Sequence, residues 1–233
     1  MNLDRRRHYI LVLDTETTNT QTTDTGKLDM SSVLPYDIGY SIIDTRGTVY
    51  LERSFVVDDI FCDEWILTTS AYYAKKIPMY IRDLAKGKRT LATAFQIRKQ
   101  MLEDIEYFRI KEVCAHNARF DINALNNLVR WTTKSKTRYF FPYGIEVWDT
   151  LVMARSVIAK MPTYRKYCEK NNLLTPTGKL SMTAESLYKF VRFDDDFEEA
   201  HTGLEDVRIE REILIYCYRQ HKPMKKNAFT KKS

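Results

Sequence analysis

The chain has 233 residues, of which 44% are apolar and 29% are charged, and its formal net charge is +6. This length fits one large domain, and the apolar share is sufficient for a packed core. The sequence contains no run of 18 apolar residues, so we expect no membrane-spanning helix, while the excess of positive charge is compatible with a polyanionic partner.

The cysteines and the charged N-terminus bear on the cellular compartment. Cys62, Cys114, Cys168 and Cys217 are far apart and form no Cys-x-x-Cys pair. The sequence therefore predicts neither a zinc site nor a disulfide framework, and reduced thiols suit the cytoplasm. Residues 1–8 are charged and contain no apolar signal-peptide region. We therefore expect a cytoplasmic protein that makes no membrane contact.

The first predicted element is a strand that ends in two carboxylates. Residues 9–13 are all apolar, which is typical of a strand buried on both faces. Asp14 and Glu16 follow, and residues two apart in a strand point to the same face. Two like charges this close repel unless a cation lies between them or one carboxylate takes a proton. Paired oxygen ligands suit Mg²⁺ or Mn²⁺, whereas the alternative is two solvated residues where a strand meets a loop.

The rest of the chain alternates between strand and helix patterns. Further strands are predicted at residues 37–44, 48–57, 112–115 and 145–148, and helices at residues 63–76, 90–108, 120–131, 150–155, 181–191 and 200–218. The turn at Arg46 and Gly47 makes the second and third strands an antiparallel hairpin. Asp149 is the expected N-cap of the helix that follows it. Three strands followed by alternating helix and strand predict a mixed sheet flanked by helices.

Two basic and aromatic segments, residues 132–143 and 163–167, do not fit this alternation. We expect the first to be an exposed loop or hairpin. Cations that meet phosphates, interleaved with rings that stack on bases, suit single-stranded nucleic acid. The alternative is an ordinary surface hairpin with a half-buried aromatic face. Residues 222–233 hold five lysines and little apolar mass, so we predict a folded domain over residues 1–221 and a disordered tail.

Two further acidic stretches lie at the ends of predicted elements. Asp121 is near the start of the helix after the fourth strand, and Asp206 is in the first turns of the last helix, with His201 in the loop before it. With Asp14 and Glu16 they make four carboxylates from three elements, at the edge where such sheets hold their functional crevice. Two divalent ions about 3.5–4 Å apart suit in-line phosphoryl chemistry, and a neutral histidine beside them can take a proton from water.

The ordered set of motifs resembles that of the DnaQ-like, DEDDh 3′→5′ exonucleases. The set consists of Asp-x-Glu at residues 14–16, His-Asn-x-x-Phe-Asp at 116–121 and His-x-x-x-x-Asp at 201–206. Residues 13–18 and 148–155 are also similar, and the resemblance runs from about residue 9 to 218. It implies an α/β fold with a ribonuclease H-like mixed five-stranded sheet flanked by helices.

The resemblance also implies a role for each motif residue. The implied ligands of two divalent cations, Mg²⁺ or Mn²⁺, are Asp14, Glu16, Asp121 and Asp206, and His201 is the implied general base. The pocket for the terminal nucleotide would be lined by Thr15, Thr17, Asn117 and Phe120. Three features depart from the family pattern: Asn19 replaces a usual glycine, the span between Asp121 and His201 is long, and the helix predicted at residues 63–76 matches no nucleotide-gripping segment.

The activity implied by the resemblance is metal-dependent 3′→5′ exonucleolytic hydrolysis. The expected substrate is the single-stranded or frayed 3′ end of DNA, in proofreading or repair, with nucleoside 5′-monophosphates as products and a DNA polymerase as one possible partner. An RNA-trimming exoribonuclease is the alternative among enzymes. A nuclease-dead nucleic-acid-binding or polymerase-accessory module is the alternative outside enzymes, although all five active-site residues are retained.

Overall fold

A mixed six-stranded sheet forms the centre of the protein. The computed structural model describes residues 3–18, 29–69, 74–199 and 201–229. The strands are β1 (Tyr9–Thr18), β2 (Leu34–Asp44), β3 (Val49–Val57), β4 (Thr90–Ala92), β5 (Glu112–Ala115) and β6 (Glu146–Asp149). Their order is β4-β3-β2-β1-β5-β6. β1, β2 and β3 are antiparallel neighbours, whereas β4, β5 and β6 each pair in parallel.

Helices cover both faces of this sheet. The described α-helices are α1 (Asp58–Phe61), α2 (Trp65–Thr69), α3 (Ile77–Ala85), α4 (Ala94–Phe108), α5 (Arg119–Thr133), α6 (Thr150–Ser156), α7 (Pro162–Lys170), α8 (Ala184–Arg192) and α9 (Gly203–Arg219). Side chains of β1 alternate between two cores, as strand geometry requires. Leu11 and Leu13 pack with α4 and α5, whereas Ile10 and Val12 pack with α6 and α9. The first strand is therefore buried on both faces, as its apolar run predicts.

The predicted fold class is confirmed, and the number of strands is six rather than five. The additional strand, β4, lies where the sequence predicts the first turn of a helix. Thr93 separates the two elements because its side chain accepts a hydrogen bond from the Gln96 backbone N–H, and Gln96 caps the Thr93 backbone in return. The three residues before this capping box instead pair in parallel with β3.

The helices of the structure differ from the prediction at two further places. Helix α7 was not predicted, because its buried residues Tyr164 and Cys168 give only one i,i+4 pair within a basic stretch. The helix predicted at residues 63–76 is, in its described part, α2 followed by a 3₁₀ turn at Ala74–Lys76. Residues 70–73 lie outside the described residues, as does most of the polar loop expected after β1.

The C-terminal segment contacts the domain over its described part, which differs from the disorder expected for residues 222–233. Asn227 forms an antiparallel bridge with Trp148, and the Ala228 backbone N–H donates to the Val147 carbonyl at 2.9 Å. The Lys226 ammonium lies 4.4 Å from the Trp148 ring centroid. The free edge of β6 offers unpaired backbone groups, a tertiary partner that composition does not reveal. Residues 230–233 are outside the described residues.

None of the described helices combines the length and the apolar character needed to cross a membrane. The four cysteines are free thiols, of which Cys114, Cys168 and Cys217 are buried.

Candidate functional site

Three of the predicted carboxylates converge where β1 meets α9. Asp14 and Glu16 lie near the end of β1, and Asp206 lies in the first turn of α9. One ligand oxygen from each of these side chains lies within 4.8 Å of the others. The spacing of two along β1 thus places both strand carboxylates toward the same helix.

Asp121 is connected to this group by hydrogen bonds from Thr15 of β1. It is not one of the three residues whose ligand oxygens lie within 4.8 Å of one another. Its Oδ1 accepts hydrogen bonds from the Thr15 backbone N–H at 3.1 Å and from the Thr15 hydroxyl at 2.8 Å. Thr15 is 5% exposed. Its described contacts therefore hold Asp121 in place, and the substrate contact that the resemblance implies for this threonine stays a prediction.

Burial and repulsion from neighbouring carboxylates raise the pKa values of all four carboxyl groups. Burial is the largest cause in each case. The pKa of Glu16 rises to about 8, with Asp37 as the next contributor, and that of Asp206 rises to about 9, with Glu199 next. The pKa of Asp121 rises to about 7, although its hydrogen bonds from Thr15 oppose the rise. The pKa of Asp14 lies well above its usual value. A bound cation would replace the protons that this cluster otherwise retains.

His201 lies beside Asp206 and next to a carboxylate that the sequence analysis did not identify. Glu199, His201 and Asp206 each offer one ligand atom within 4.8 Å of the other two, and the His201 Nδ1 is 3.8 Å from a Glu199 carboxylate oxygen. Burial lowers the pKa of His201, and the charge of Lys76 lowers it further. The imidazole is therefore neutral, and able to accept a proton, at neutral pH.

Lys76 is a cation at the site that sequence reasoning missed. It ends the 3₁₀ turn before α3, and its ammonium donates to the His201 carbonyl at 3.3 Å. Its charge partly offsets the raised pKa values of Glu16 and Asp206. No sequence spacing links residue 76 to the acidic motifs, so only the tertiary structure could reveal it.

Glu210 is a further buried carboxylate that was missed. It lies one helical turn after Asp206 on α9 and is 2% exposed. Its Oε1 accepts from the His116 backbone N–H at 2.9 Å, and its Oε2 has no hydrogen-bond partner among the described residues. The i,i+4 spacing from Asp206 is the sequence signal that could have found it.

His116, the first residue of the second motif, has a structural role. Its Nε2 lies 3.0 Å from the Met182 carbonyl, so this nitrogen carries the proton, and its Nδ1 accepts from the Thr150 hydroxyl at 2.9 Å. Burial lowers the pKa of His116, which keeps the ring neutral. The ring therefore connects the turn before α5 to α6 and to the segment before α8.

Of the predicted nucleotide-pocket residues, Asn117 lines a cleft together with Asp14. Asn117 is exposed and adopts a left-handed backbone with φ of 60°. Its backbone N–H donates to Asp149 Oδ1 at 3.0 Å, and the same oxygen caps α6 through Leu151, which confirms the predicted N-cap. Thr17 and Phe120 are half-buried. An open cleft brings Asn117 together with the carboxylates; its lining includes Asp14, His116, Asn117, Leu151, Thr183 and Glu199.

A close contact of α9 with β2 fixes where Asp206 and His201 lie. Gly39 is the β2 partner of Asp14. A Cβ at Gly39 would lie 2.2 Å from the Leu204 backbone nitrogen, and one at Gly203 would lie 2.7 Å from the Gly39 nitrogen. Only glycine at both positions permits this approach. The start of α9 is therefore held directly over the strand position beside Asp14.

A buried ion-pair network holds the same helix end. Asp37, which is fully buried on β2, accepts through Oδ2 from the Gly203 backbone N–H at 3.0 Å and from Arg89 Nη1 at 3.0 Å. Arg89 also donates to Glu205 on α9 at 2.9 Å, and its guanidinium lies 4.8 Å from the Tyr80 ring centroid. β2, α3 and the loop before β4 are thereby joined to the first turn of α9.

The residues at this site fit a divalent cation. Asp206 is 5% exposed, and its Oδ1 has no hydrogen-bond partner among the described residues. A buried carboxylate oxygen without a donor is costly unless a proton or a cation compensates it. The set of carboxylate oxygens matches the ligand preference of Mg²⁺ or Mn²⁺.

The fold is shared with solved exonucleases. A structure of E. coli exonuclease I in complex with a dT13 oligonucleotide superposes with a TM-score of 0.53 at 14% identity, covering 90% of this chain and 40% of that one. A product-bound structure of exonuclease I also gives a TM-score of 0.53, at 12% identity, covering 92% of this chain and 46% of that one. This chain thus spans less than half the length of these proteins. No protein-family model matches the sequence, and no curated protein matches it.

The raised carboxyl pKa values lead to a prediction about stability without metal. A carboxyl group whose folded-state pKa is above its unfolded value of about 4 stabilises the fold below that value and loses this contribution as pH rises through the folded pKa. In EDTA we expect the free energy of unfolding to fall between about pH 4 and the folded-state pKa values of about 7 to 9. The fall should be at most about 1.4 kcal/mol per pH unit for each proton that the unfolded chain has released and the folded protein retains. Urea titrations at several pH values measure this.

Two variants that each neutralise one carboxylate test this pH dependence, one within the cluster and one, as the control, on the surface. Asp206→Asn should flatten the decline and raise stability at pH 8 in EDTA, because it removes one of the repelling charges. Glu103→Gln, at an exposed position on α4, should leave the decline unchanged. Parallel curves for all three proteins would show that the cluster is not strained by charge.

The network under α9 gives a second stability prediction. Arg89→Met leaves Asp37 buried without its cationic partner, and breaking such a pair costs roughly 3–5 kcal/mol. The control is Arg192→Met, which removes an exposed ion pair with Glu212 and should cost no more than ~1 kcal/mol. Urea unfolding at pH 7 provides both values, and equal losses would contradict the assignment of Arg89 as the internal support of α9.

Proposed function

We propose that this protein is a metal-dependent 3′→5′ exonuclease that hydrolyses single-stranded or frayed 3′ ends to nucleoside 5′-monophosphates. The observation that carries the proposal is the convergence of Asp14, Glu16 and Asp206 within 4.8 Å, with a buried Asp206 oxygen that lacks a donor. Further support comes from the neutral histidine beside them and from the fold shared with exonuclease I, which was solved with a single-stranded oligonucleotide.

In this proposal the carboxylates hold two divalent cations, Mg²⁺ or Mn²⁺. Asp14, Glu16 and Asp206 would provide ligand oxygens, and Asp121, fixed by Thr15, would provide the fourth carboxylate. When bound, the cations supply Lewis-acid stabilisation of the charge that develops on the phosphate in phosphoryl transfer. Glu210 supports the His116 backbone behind the cluster, and burial raises the pKa of its carboxyl group well above the usual value.

His201 is the proposed general base. Its lowered pKa keeps the imidazole neutral at neutral pH, so it can accept the proton of the attacking water. Glu199 Oε2 lies 3.8 Å from its Nδ1 and stabilises the imidazolium after the proton arrives. The Lys76 ammonium binds the His201 carbonyl, which fixes the loop that carries the base.

The site also accounts for the proposed polarity. The cleft beside Asp14 is lined by Asn117 and Leu151, and it would receive one terminal nucleotide with a free 3′-hydroxyl. A paired terminal base must leave its partner to enter, which costs a few kcal/mol. Single strands and mismatched 3′ ends should therefore be degraded faster than matched duplex ends. Assignment to proofreading or repair, and a polymerase partner, stay predictions.

The proposed activity is tested with 5′-labelled DNA and RNA oligonucleotides in Mg²⁺ or Mn²⁺. We expect a ladder that shortens from the 3′ end, no reaction with a 3′-phosphate, and loss of the ladder in Asp14→Asn and Asp206→Asn variants that remain folded. Immediate release of a labelled mononucleotide, or cleavage of a circular single strand, would contradict the polarity. Faster RNA than DNA digestion would favour an exoribonuclease, and binding without any hydrolysis would favour a nuclease-dead module.

The role of His201 gives a separate prediction. His201→Ala should lower kcat by roughly 10²–10⁴ while KM changes little, because general-base catalysis acts on the transition state. In the wild type, kcat should rise with pH and reach its plateau with a midpoint below about 6.5, since burial lowers the imidazole pKa. The control is His8→Ala, at the far end of β1 beside Glu112. Full turnover by His201→Ala would remove the histidine from the mechanism.

A further inference from the structure

A basic groove lies beside the C-terminal end of α5, outside the carboxylate site. One wall is formed by the segment that enters β2, and the other by the end of α5 and its cap. Its lining includes Leu34, Asn127, Arg130, Trp131, Lys134 and Lys136. We propose that this α5 groove binds the single-stranded polynucleotide on the 5′ side of the nucleotide that is cleaved. The inference rests on the proposed function for its orientation.

Two elements connect the α5 groove to the carboxylates. Asp121 is in the first turn of α5, and Trp131 follows ten positions later on the same helix, which is about 15 Å along the axis. Leu34 pairs with Thr18, two residues beyond Glu16 on β1, which is about 7 Å along the strand. A strand with its 3′ end at the carboxylates can therefore extend along α5 into the groove.

The groove is built from fixed elements. Asn127 on α5 donates through Nδ2 to the Met30 carbonyl at 2.6 Å and to the Val33 carbonyl at 3.1 Å, which joins the two walls. The Thr18 hydroxyl donates to the Leu34 carbonyl at 3.1 Å. Because the walls are joined before any ligand arrives, binding requires little ordering of the protein.

The charge of the lining fits a phosphodiester backbone. Arg130, Lys134 and Lys136 are the charged residues among the described lining residues, and no carboxylate is among them. Both lysines are exposed, so each can release a counterion when it contacts a phosphate. The Arg130 Nε donates to the Arg138 carbonyl at 3.2 Å, which holds this cation at the groove.

Trp131 provides a ring in the same groove. It is half-buried and packs against the core formed by α4 and α5, and the Lys134 ammonium lies 4.7 Å from its centroid. An aromatic face beside cations is the combination that sequence-independent single-strand sites use, because every base can stack on a ring. Binding of phosphate alone would require the cations but not the ring, so the combination favours a single-stranded nucleic acid.

The structure narrows the role predicted for the two basic and aromatic segments. Phe140 is fully buried, and its backbone is held by Asn126 and by Arg98, so it anchors the loop. Tyr164 of the second segment is also buried and donates to the Ser181 carbonyl at 2.7 Å. Neither ring is available to a base. The lysines of the first segment are exposed, as is Tyr139, and the tryptophan of the α5 groove lies just outside that segment.

The test compares two charge-matched double variants in binding experiments. Lys134→Gln/Lys136→Gln removes two groove cations, and Arg165→Gln/Lys166→Gln removes two exposed cations from α7. Anisotropy of a 5′-fluorescein oligothymidylate or oligouridylate with a 3′-phosphate, in EDTA, gives the affinity between about 50 and 200 mM salt. We expect the slope of log K against log salt to flatten by about 1.4 for the groove variant, since each single-strand phosphate contact contributes about 0.7. The α7 variant should retain the wild-type slope.

Equal slopes for the two double variants would overturn the proposal, as would a flatter slope for the α7 variant alone. Trp131→Leu should weaken binding roughly tenfold through loss of stacking, with the salt slope unchanged. Because Trp131 also packs in the core, the lysine variant decides the question if the leucine variant is unstable. A preference between the two oligonucleotides identifies the sugar that the groove accepts.

The proposed function and the α5 groove can fail separately. Hydrolysis of a dinucleotide in Mg²⁺ tests the carboxylate site alone, because a dinucleotide is too short to span the ~15 Å to Trp131. The groove variant should hydrolyse a dinucleotide at the wild-type rate and show a raised KM for long strands. A wild-type chain that binds with the expected salt slope but hydrolyses nothing would refute the nuclease and retain the groove.

Discussion

Several carboxylates are buried close together in this protein, and the surrounding contacts must hold them there against desolvation and repulsion. Asp14, Glu16, Asp121 and Asp206 are brought together against both desolvation and like charge, and their pKa values rise as a result. Such a cluster is unfavourable for stability alone, so the surrounding fold must hold it by stronger contacts. A site of this kind is prepared for a cation, which removes the repulsion by binding to it.

The contacts that hold these carboxylates in place are concentrated at the start of α9, the helix that carries Asp206. The start of α9 is pressed onto β2 at Gly39 and Gly203 and is held by Asp37, which also binds Arg89. Asp37 has a cationic partner in Arg89, although its Oδ1 lacks a hydrogen-bond partner among the described residues, as does the Asp206 Oδ1. The ion pair with Arg89 therefore distinguishes the carboxylate that supports α9 from the one at the candidate metal site.

The two ends of α5 lie at the carboxylate site and at the α5 groove. Its first turn carries Asp121, bound to β1 through Thr15, and its last turn and cap provide the cations and the ring of the α5 groove. A rigid helix keeps a constant separation between these ends. In the proposed mechanism, α5 therefore sets the distance between the site of cleavage and the groove that retains the remaining strand.

The sequence alone determined the buried first strand, the pairing of Asp14 with Glu16, the N-cap at Asp149 and the order of the acidic motifs, because these depend on local periodicity and spacing. It did not determine β4, whose three residues are a strand only because β3 lies beside them, or the packed tail, which depends on the free edge of β6. Lys76 reaches the site from a 3₁₀ turn and Glu199 from a loop, and no sequence pattern encodes the position of either. Tertiary structure decided these features because contacts between distant residues arise from packing, which local spacing does not specify.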